Sequence, residues 1–272
     1  MKKTSIILVL LLACLNYSCS TNPLTGKQTL NFVSNSELFP SAFQQYSQFL
    51  KENKVVSGTT DARRVENIGI KIKTAAEKYL NSLGQTQYLN GYQWEYKLVE
   101  NKEVNAWCMP GGKIVVYTGI LPVTKDDAGL ATVMGHEVAH ALANHGAQRM
   151  SASQLQSLGA VGVAMATGGK SEEKQRMWQQ YYGIGTGVGV MLPFSRNHET
   201  EADKIGLTLM AIAGYNPEKA IEFWSRMSAS SGGQSPPELL STHPSDATRI
   251  ANLRRLIPEA KTTAAKFGVV FK

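Results

Sequence analysis

The stretch "VMGHEVAHALANHG", residues 133–146, decides the fold because it sets two histidines and a glutamate at the spacing of a metal site. His136 and His140 are four residues apart, so on a helix their side chains lie on one face, one turn from each other. Both imidazoles can then bind one ion at the roughly 2.0–2.1 Å that zinc requires. Glu137 lies beside the first histidine, where it can accept a proton from a metal-bound water. Two ligands do not hold a catalytic zinc, so the chain must supply a third.

The third ligand determines the class of the metal site. The metzincin spacing is excluded, because this chain has an alanine and a glycine where that class has a glycine and a third histidine. A later segment, "SRNHETEADKIG", offers three acids. Glu199 and Asp203 share one helical face, whereas Glu201 is about 200° of helical rotation from Glu199. We therefore predict Glu199 as the third ligand and Asp203 as the acid that accepts a hydrogen bond from a ligating histidine.

The remaining patterns predict an α+β domain that is mostly helical. Two extended stretches, "YQWEYKLVE" and "VNAWCMPGGKIVVYTGIL", predict a small mixed or antiparallel sheet whose edge strand flanks the helix of the HExxH motif. Thr124 is the expected N-cap of that helix. Helices are predicted over residues 36–53, 61–83, 125–145, 195–214 and 217–229, with a last helix ending at 257 and packed small-residue helices between 151 and 192.

The first 18 residues have the pattern of a secretory leader. Two lysines precede an apolar run that is too short to span a bilayer. Cys14 and Cys19 follow, and a cysteine that closes such a leader indicates lipoprotein processing, in which the cysteine becomes the acylated N-terminus. The acyl chains would attach the protein to a membrane surface. These residues alone leave open which of the two cysteines is acylated.

The charge pattern does not support nucleic acid as a partner. The chain has a formal net charge of +7, but its basic residues form no run of five and no stripe with aromatic residues. Beyond the leader and its cysteines only Cys108 remains, so the mature chain cannot build an intramolecular disulfide framework.

Five segments along the chain point together to one family. They are "STNPLTGKQ", "NAWCMPGG", "GHEVAH", "LPFSRNHETEADKIGL" and "STHPSDATRI". In this combination the chain resembles the gluzincin zinc metalloproteases of the HtpX, BepA, LoiP and Oma type, to which the CAAX prenyl proteases are related. Its nearest resemblance is to the periplasmic lipoprotein members. The resemblance implies a lipoprotein signal peptide over residues 1–18, an N-terminal extension over 19–60, and a zincin-like catalytic domain over 61–272 with one Zn²⁺ per chain.

The resemblance also implies further residues and a location. The segment "CSTNP" implies Cys19 as the acylated residue. Ser20 is not the aspartate that retains lipoproteins in the inner membrane, which implies the periplasmic face of the outer membrane in a bacterial cell envelope. The segment "STHPSDATRI" implies active-site roles for His243 and Arg249. His243 could be a fourth zinc ligand, an oxyanion donor or only a loop residue, and these alternatives stay open.

These patterns predict a zinc-dependent endopeptidase. Glu137 would act as the general base for attack on a peptide bond. The segment "NAWCMPGG" offers a strand edge to which an extended substrate could add, with Asn105 and Ala106 as substrate-binding residues. Misfolded or unassembled envelope proteins would supply such extended chains, and envelope assembly machinery is a further candidate partner. The alternative is an assembly chaperone or binding module for outer-membrane proteins, with a structural or latent zinc site.

Overall fold

The computed structural model of the protein describes residues 19–152, 196–230, 239 and 247–271. The chain divides into two units, one formed by Met1–Ser34 with Gly146–Leu192 and the other by Asn35–His145 with Pro193–Lys272. In the described part of the first unit, strands β1 (Cys19–Thr21) and β2 (Gln28–Leu30) pair antiparallel. The boundaries proposed from the sequence after residues 18 and 60 stay predictions.

The second unit carries the helices that position the functional residues. Within its described residues they are α1 (Asn35–Glu52), α2 (Thr60–Ser82), α3 (Leu121–Thr124), α4 (Asp127–Leu142), α5 (Arg196–Ile212), α6 (Lys219–Ala229) and α7 (Ala247–Ala265). In α2 the apolar residues at helical spacing, among them Val65, Ile68 and Ile72, are buried. Among the helices that the structure describes, none is long and apolar enough to cross a membrane.

A four-stranded sheet lies beside these helices. Its strands are β3 (Val55–Val56), β4 (Glu95–Val99), β5 (Ala106–Met109) and β6 (Lys113–Tyr117), in the spatial order β3-β4-β6-β5. β4 and β6 are parallel, whereas β5 and β6 form an antiparallel hairpin. The mixed sheet confirms the predicted mostly helical α+β fold, and β5 at its edge packs against α4. The hairpin turns at Gly111 and Gly112, whose φ values of 82° and 87° favour glycine.

Helix α4 is the central element of the second unit. Every residue from Gly129 to Leu142 is buried, so the helix is covered on all faces by its neighbours. It crosses α5 at two glycines, and a Cβ atom built on Gly206 would lie 3.0 Å from the backbone nitrogen of His136. A Cβ atom on Gly135 would lie 3.0 Å from the carbonyl oxygen of Gly206. The two helices can approach this closely because both positions lack a side chain.

The glycine crossing leads to a first prediction. Replacing Gly206 with alanine should force α5 away from α4 by a few tenths of an ångström, because the new methyl group meets backbone atoms that cannot rotate aside. We expect the free energy of unfolding to fall by about 1–3 kcal/mol, the usual cost of overpacking. Thr200→Ala, at an exposed position of the same helix, should change it by less than about 0.5 kcal/mol. Urea unfolding followed by circular dichroism measures the stability of both variants. Equal stability of Gly206→Ala and Thr200→Ala would contradict the tight crossing of the two helices.

The start of α4 differs from the prediction. Asp126 is the N-cap, and its carboxylate accepts a hydrogen bond from the backbone N–H of Gly129 at 2.7 Å. Thr124 instead ends α3, and its hydroxyl donates to the carbonyl of Leu121. Between them Lys125 has a φ of 62°, which breaks the helical path. The predicted helices between residues 151 and 192 lie outside the described residues, apart from residues 151 and 152.

Candidate metal centre

Two helices bring three metal-binding side chains to one point. His136 and His140 project from one face of α4, and their Nε2 atoms are 3.1 Å apart. Glu199, in the first turn of α5, places Oε2 3.3 Å from Nε2 of His136 and its other oxygen, Oε1, 3.3 Å from Nε2 of His140. All three side chains are buried. This is the group that the sequence predicts, and its ligand atoms lie within 4.8 Å of one another.

The spacing of these atoms fits zinc. Bonds of about 2.0–2.1 Å in a tetrahedron place neighbouring ligand atoms about 3.3–3.4 Å apart. The 3.1 Å between the two nitrogens, and the 3.3 Å from each nitrogen to a different carboxylate oxygen of Glu199, are close to that value. Two imidazole nitrogens and one carboxylate oxygen are also the donor set of catalytic zinc sites, which keep a fourth position for water or substrate. His136, His140 and Glu199 are therefore positioned to bind one zinc ion.

Asp203 and Arg249 lie next to the ligands. Asp203, one turn after Glu199 on α5, places an oxygen 3.0 Å from Nδ1 of His136. Arg249 of α7 holds this carboxylate with two hydrogen bonds, from Nε at 2.9 Å and from Nη2 at 2.6 Å. The guanidinium carbon lies 3.4 Å from the ring centre of Trp224, on α6. Four helices thus fix the orientation of the first histidine.

The buried charges shift the pKa values of this group. Burial and the charge of Arg249 act against a proton on His136, but the carboxylates of Asp203 and Glu199 outweigh them and raise its pKa. Burial would raise the pKa of Asp203, yet Arg249 and His136 outweigh burial and hold it below its ordinary value. Asp203 is therefore ionised at neutral pH, where it can accept a hydrogen bond from the ligand. Because metal binding requires neutral histidine, protons compete with the ion in acid.

Glu137 is buried in α4, with 4% of its surface exposed, and β5 packs against this helix. Burial of the Cys108 thiol, together with the nearby charge of Glu137, raises the pKa of that thiol. The glutamate thus directly follows the metal-binding His136, on the helix against which the edge strand packs.

Asn105 and Ala106 lie at the start of that edge strand. The side-chain oxygen of Asn105 accepts a hydrogen bond from the backbone N–H of Ala106 at 2.8 Å, and its carbonyl oxygen accepts one from Tyr117 on β6. The backbone N–H of Leu239 donates to the carbonyl of Val104, just before β5, at 3.3 Å. Because alternate residues of a strand direct their polar groups to opposite sides, Val104, Ala106 and Cys108 direct theirs away from β6.

Two further buried residues, His145 and Glu201, lie near the site. His145 follows α4 and places its Nδ1 2.9 Å from Nδ1 of His140. Glu201, which the helical rotation turns away from the metal ligands, lies 3.7 Å from Nε2 of His145. Burial lowers the pKa of His145. The sequence signal was the third histidine in "HEVAHALANH", which becomes informative only once the helix is known to end before it.

One sequence-predicted site residue and one predicted modification stay untested. His243 lies outside the described residues, so its proposed roles stay predictions. Acylation of Cys19, and attachment to a membrane surface through it, also stay predictions.

A histidine pair on one helix, a carboxylate from a later helix and an adjacent edge strand define a zincin-like metalloprotease. Residues 71–257 match peptidase family M48, and the chain belongs to this family, whose members use zinc. The chain is 35% identical over 204 residues to the mitochondrial metalloendopeptidase OMA1 of Saccharomyces cerevisiae, which is 72% of this chain and 56% of that protein. The corresponding protein of Schizosaccharomyces pombe is 37% identical over 174 residues, 64% of this chain and 49% of the relative.

A bacterial relative is also similar. The beta-barrel assembly-enhancing protease of Escherichia coli is 30% identical over 191 residues, which cover 65% of this chain and 38% of that protein. The chain thus spans about half the length, or less, of these curated relatives.

The comparisons correct the predicted location. The prediction of the periplasmic face of a bacterial outer membrane is wrong on this evidence, because the relatives at 35% and 37% identity are mitochondrial proteins. That prediction depended on the leader, on Cys19 and on Ser20, all of which precede the matched residues 71–257. An apolar run followed by a cysteine is typical of a targeting segment, but this pattern does not identify the cellular compartment to which the protein is directed.

Proposed function

We propose that the chain is a zinc-dependent endopeptidase that cleaves extended segments of misfolded or unassembled proteins. The observation that carries this proposal is the position of His136, His140 and Glu199 beside Glu137 and an edge strand. The family membership supports peptide hydrolysis. A relative named for enhancing β-barrel assembly supports substrates that have not completed their assembly.

Each residue of the site would have a separate role in peptide hydrolysis. His136, His140 and Glu199 would hold the zinc ion, which when bound polarises a carbonyl group and lowers the pKa of a water molecule. Glu137 takes a proton from the attacking water and passes it to the leaving amine. Asp203 holds the ring of His136 in place through its Nδ1 atom.

Arg249 supports two acids in this scheme. Its guanidinium forms two hydrogen bonds with Asp203, stacks on Trp224 and lies 3.3 Å from a carboxylate oxygen of Glu199. A guanidinium fixed by these contacts keeps Asp203 ionised and oriented.

The edge strand would bind the substrate backbone. The polar groups of Ala106 and Cys108 point away from β6, so an extended peptide can pair with them and lie along α4, next to Glu137. Asn105 would orient such a peptide. Its side-chain oxygen now accepts a hydrogen bond from the backbone N–H of Ala106, and a hydrogen bond to the substrate in its place would free that N–H for pairing. A folded protein offers no such free segment, which favours unfolded chains as substrates.

Cleavage of an unfolded protein tests the proposed function. The purified chain should cleave casein, lose this activity with a zinc chelator and regain it when zinc is restored. A folded, disulfide-bonded protein of similar size should be cleaved only after reduction and unfolding. Casein that remains intact with zinc bound would contradict the peptidase, as would cleavage that persists after the metal is removed.

Substrate pairing at the edge strand gives a second prediction. Cys108→Pro removes the N–H group that points away from β6, at a position where an edge strand tolerates proline. We expect kcat/KM for casein to fall roughly 2–10-fold, the value of one hydrogen bond, with zinc content unchanged. Cys108→Ser keeps the N–H group and should retain wild-type activity. Equal kcat/KM for the two variants would show that the substrate does not pair there.

A further inference from the structure

His145 occupies a fixed position behind the metal centre. Its side chain is wholly buried, and its Nδ1 atom lies 2.9 Å from Nδ1 of His140. The opposite nitrogen of His140, Nε2, faces His136 and Glu199. His145 therefore contacts His140 on the side away from the metal-binding atoms.

This geometry sets the hydrogen positions on both rings. When Nε2 of His140 binds a metal, its Nδ1 atom must carry the hydrogen and donate it. In its contact with His140, Nδ1 of His145 must then accept. The hydrogen of His145 is consequently on Nε2, which lies 3.7 Å from a carboxylate oxygen of Glu201, a separation at which the two groups attract electrostatically without a direct hydrogen bond. Glu201 is itself buried.

The surrounding structure holds His145 in this orientation. Asn144 has a φ of 55°, a left-handed turn that ends the path of α4 and directs the next residue back to it. Tyr88 fixes this turn, since its hydroxyl donates to the carbonyl of Leu142 at 2.6 Å and accepts from the Asn144 amide at 3.4 Å. The ring of His198 stacks on His145 with 4.3 Å between ring centres.

The two metal-binding histidines thus have different supports. His136 contacts the carboxylate of Asp203 directly, with 3.0 Å between Nδ1 and the oxygen. We propose that His145 is a positioning residue for His140, and that Glu201 supports His145. The imidazole of His145 thus lies between the ligand His140 and the carboxylate of Glu201. The inference depends on metal binding at His140, and peptide hydrolysis is not required for it.

Zinc affinity and the spectrum of bound cobalt test this proposal. Zinc dissociation constants would be measured by competition with a chromophoric chelator for wild type, His145→Phe, His145→Asn, Glu201→Gln and His198→Phe. Loss of a group that orients a metal ligand typically costs about 10–100-fold in affinity, which we expect for His145→Phe. His145→Asn should recover most of this loss, because its amide oxygen can accept the His140 hydrogen. Glu201→Gln should weaken zinc binding only several-fold, because Glu201 lies beside His145 and affects His140 only through it.

His198→Phe serves as the matched control, because phenylalanine preserves the stacked ring while removing the imidazole. Its zinc affinity should stay near the wild-type value, and the visible absorption of the cobalt-loaded protein should change in His145→Phe alone. Wild-type affinity and an unchanged cobalt spectrum in His145→Phe would overturn the proposal. Equally weak binding by the phenylalanine and asparagine variants would do the same, by showing that only the packing matters. If these differences appear in a protein that cleaves no casein, the positioning role stands and the peptidase fails.

Discussion

Replacing Glu137 with glutamine is expected to lower kcat for casein by about 10²–10⁴-fold while zinc stays bound. Glutamine has nearly the same shape, but its amide cannot accept a proton from the attacking water. His136, His140 and Glu199 are unchanged, so the metal-binding group is preserved. Initial rates with a fluorogenic unfolded casein, normalised to zinc content, measure the effect.

Glu66→Gln is the matched control for this experiment, since it makes the same chemical change at an exposed position of α2. It should cleave casein at the wild-type rate. The experiment also separates the peptidase from an assembly chaperone with a structural zinc, because a chaperone would suppress aggregation of an unfolded client equally well with either residue at 137. Full cleavage by Glu137→Gln would remove the general base from the proposed mechanism.

The second large effect concerns the buried ion pair behind the ligands. Replacing Arg249 with methionine leaves Asp203 buried without the cation that holds it, and removes the charge 3.3 Å from Glu199. We expect the free energy of unfolding of the metal-free protein to fall by about 3–5 kcal/mol, the usual cost of breaking a buried pair by removing one partner. Urea unfolding of the chelator-treated protein measures it.

A double variant shows whether the charge on Asp203 is the cause. With Asp203→Asn added to Arg249→Met, no carboxylate is left unpaired at this position, so the combined loss should be smaller than the sum of the single losses. Arg255→Met, at an exposed position of the same helix, should be nearly neutral. Additive losses would mean that Arg249 stabilises the protein mainly by packing on Trp224.

The metal-binding group could be predicted from the sequence because its geometry is local. Four-residue spacing on a helix determines that His136 and His140 share a face, and the same rule pairs Glu199 with Asp203. It also correctly turns Glu201 away from the metal ligands, but it cannot show what lies on that side. His145 lies there only because the left-handed turn at Asn144 ends the helix and returns the chain, which no periodic pattern records.

Local patterns also could not predict how the strands of the sheet pair. The alternation in "YQWEYKLVE" and the Pro-Gly-Gly turn predicted the strands themselves. The parallel pairing of β4 with β6 depends on contacts between distant segments, as does the addition of the two-residue strand β3. The N-cap was assigned to Thr124 because it precedes an acid by three positions, whereas Asp126 caps the helix after a backbone turn at Lys125.

Zinc content is the most direct test of the central claim, that His136, His140 and Glu199 bind one catalytic zinc. The purified wild-type chain, Glu199→Ala and the exposed control Glu222→Ala would be loaded with zinc, freed of excess ion and measured by inductively coupled plasma mass spectrometry. We expect about one zinc per chain in wild type and in Glu222→Ala, and far less in Glu199→Ala, because two histidines alone do not complete the site. A wild-type chain without zinc, or a Glu199→Ala chain that retains it, would show that these three residues do not form a zinc site.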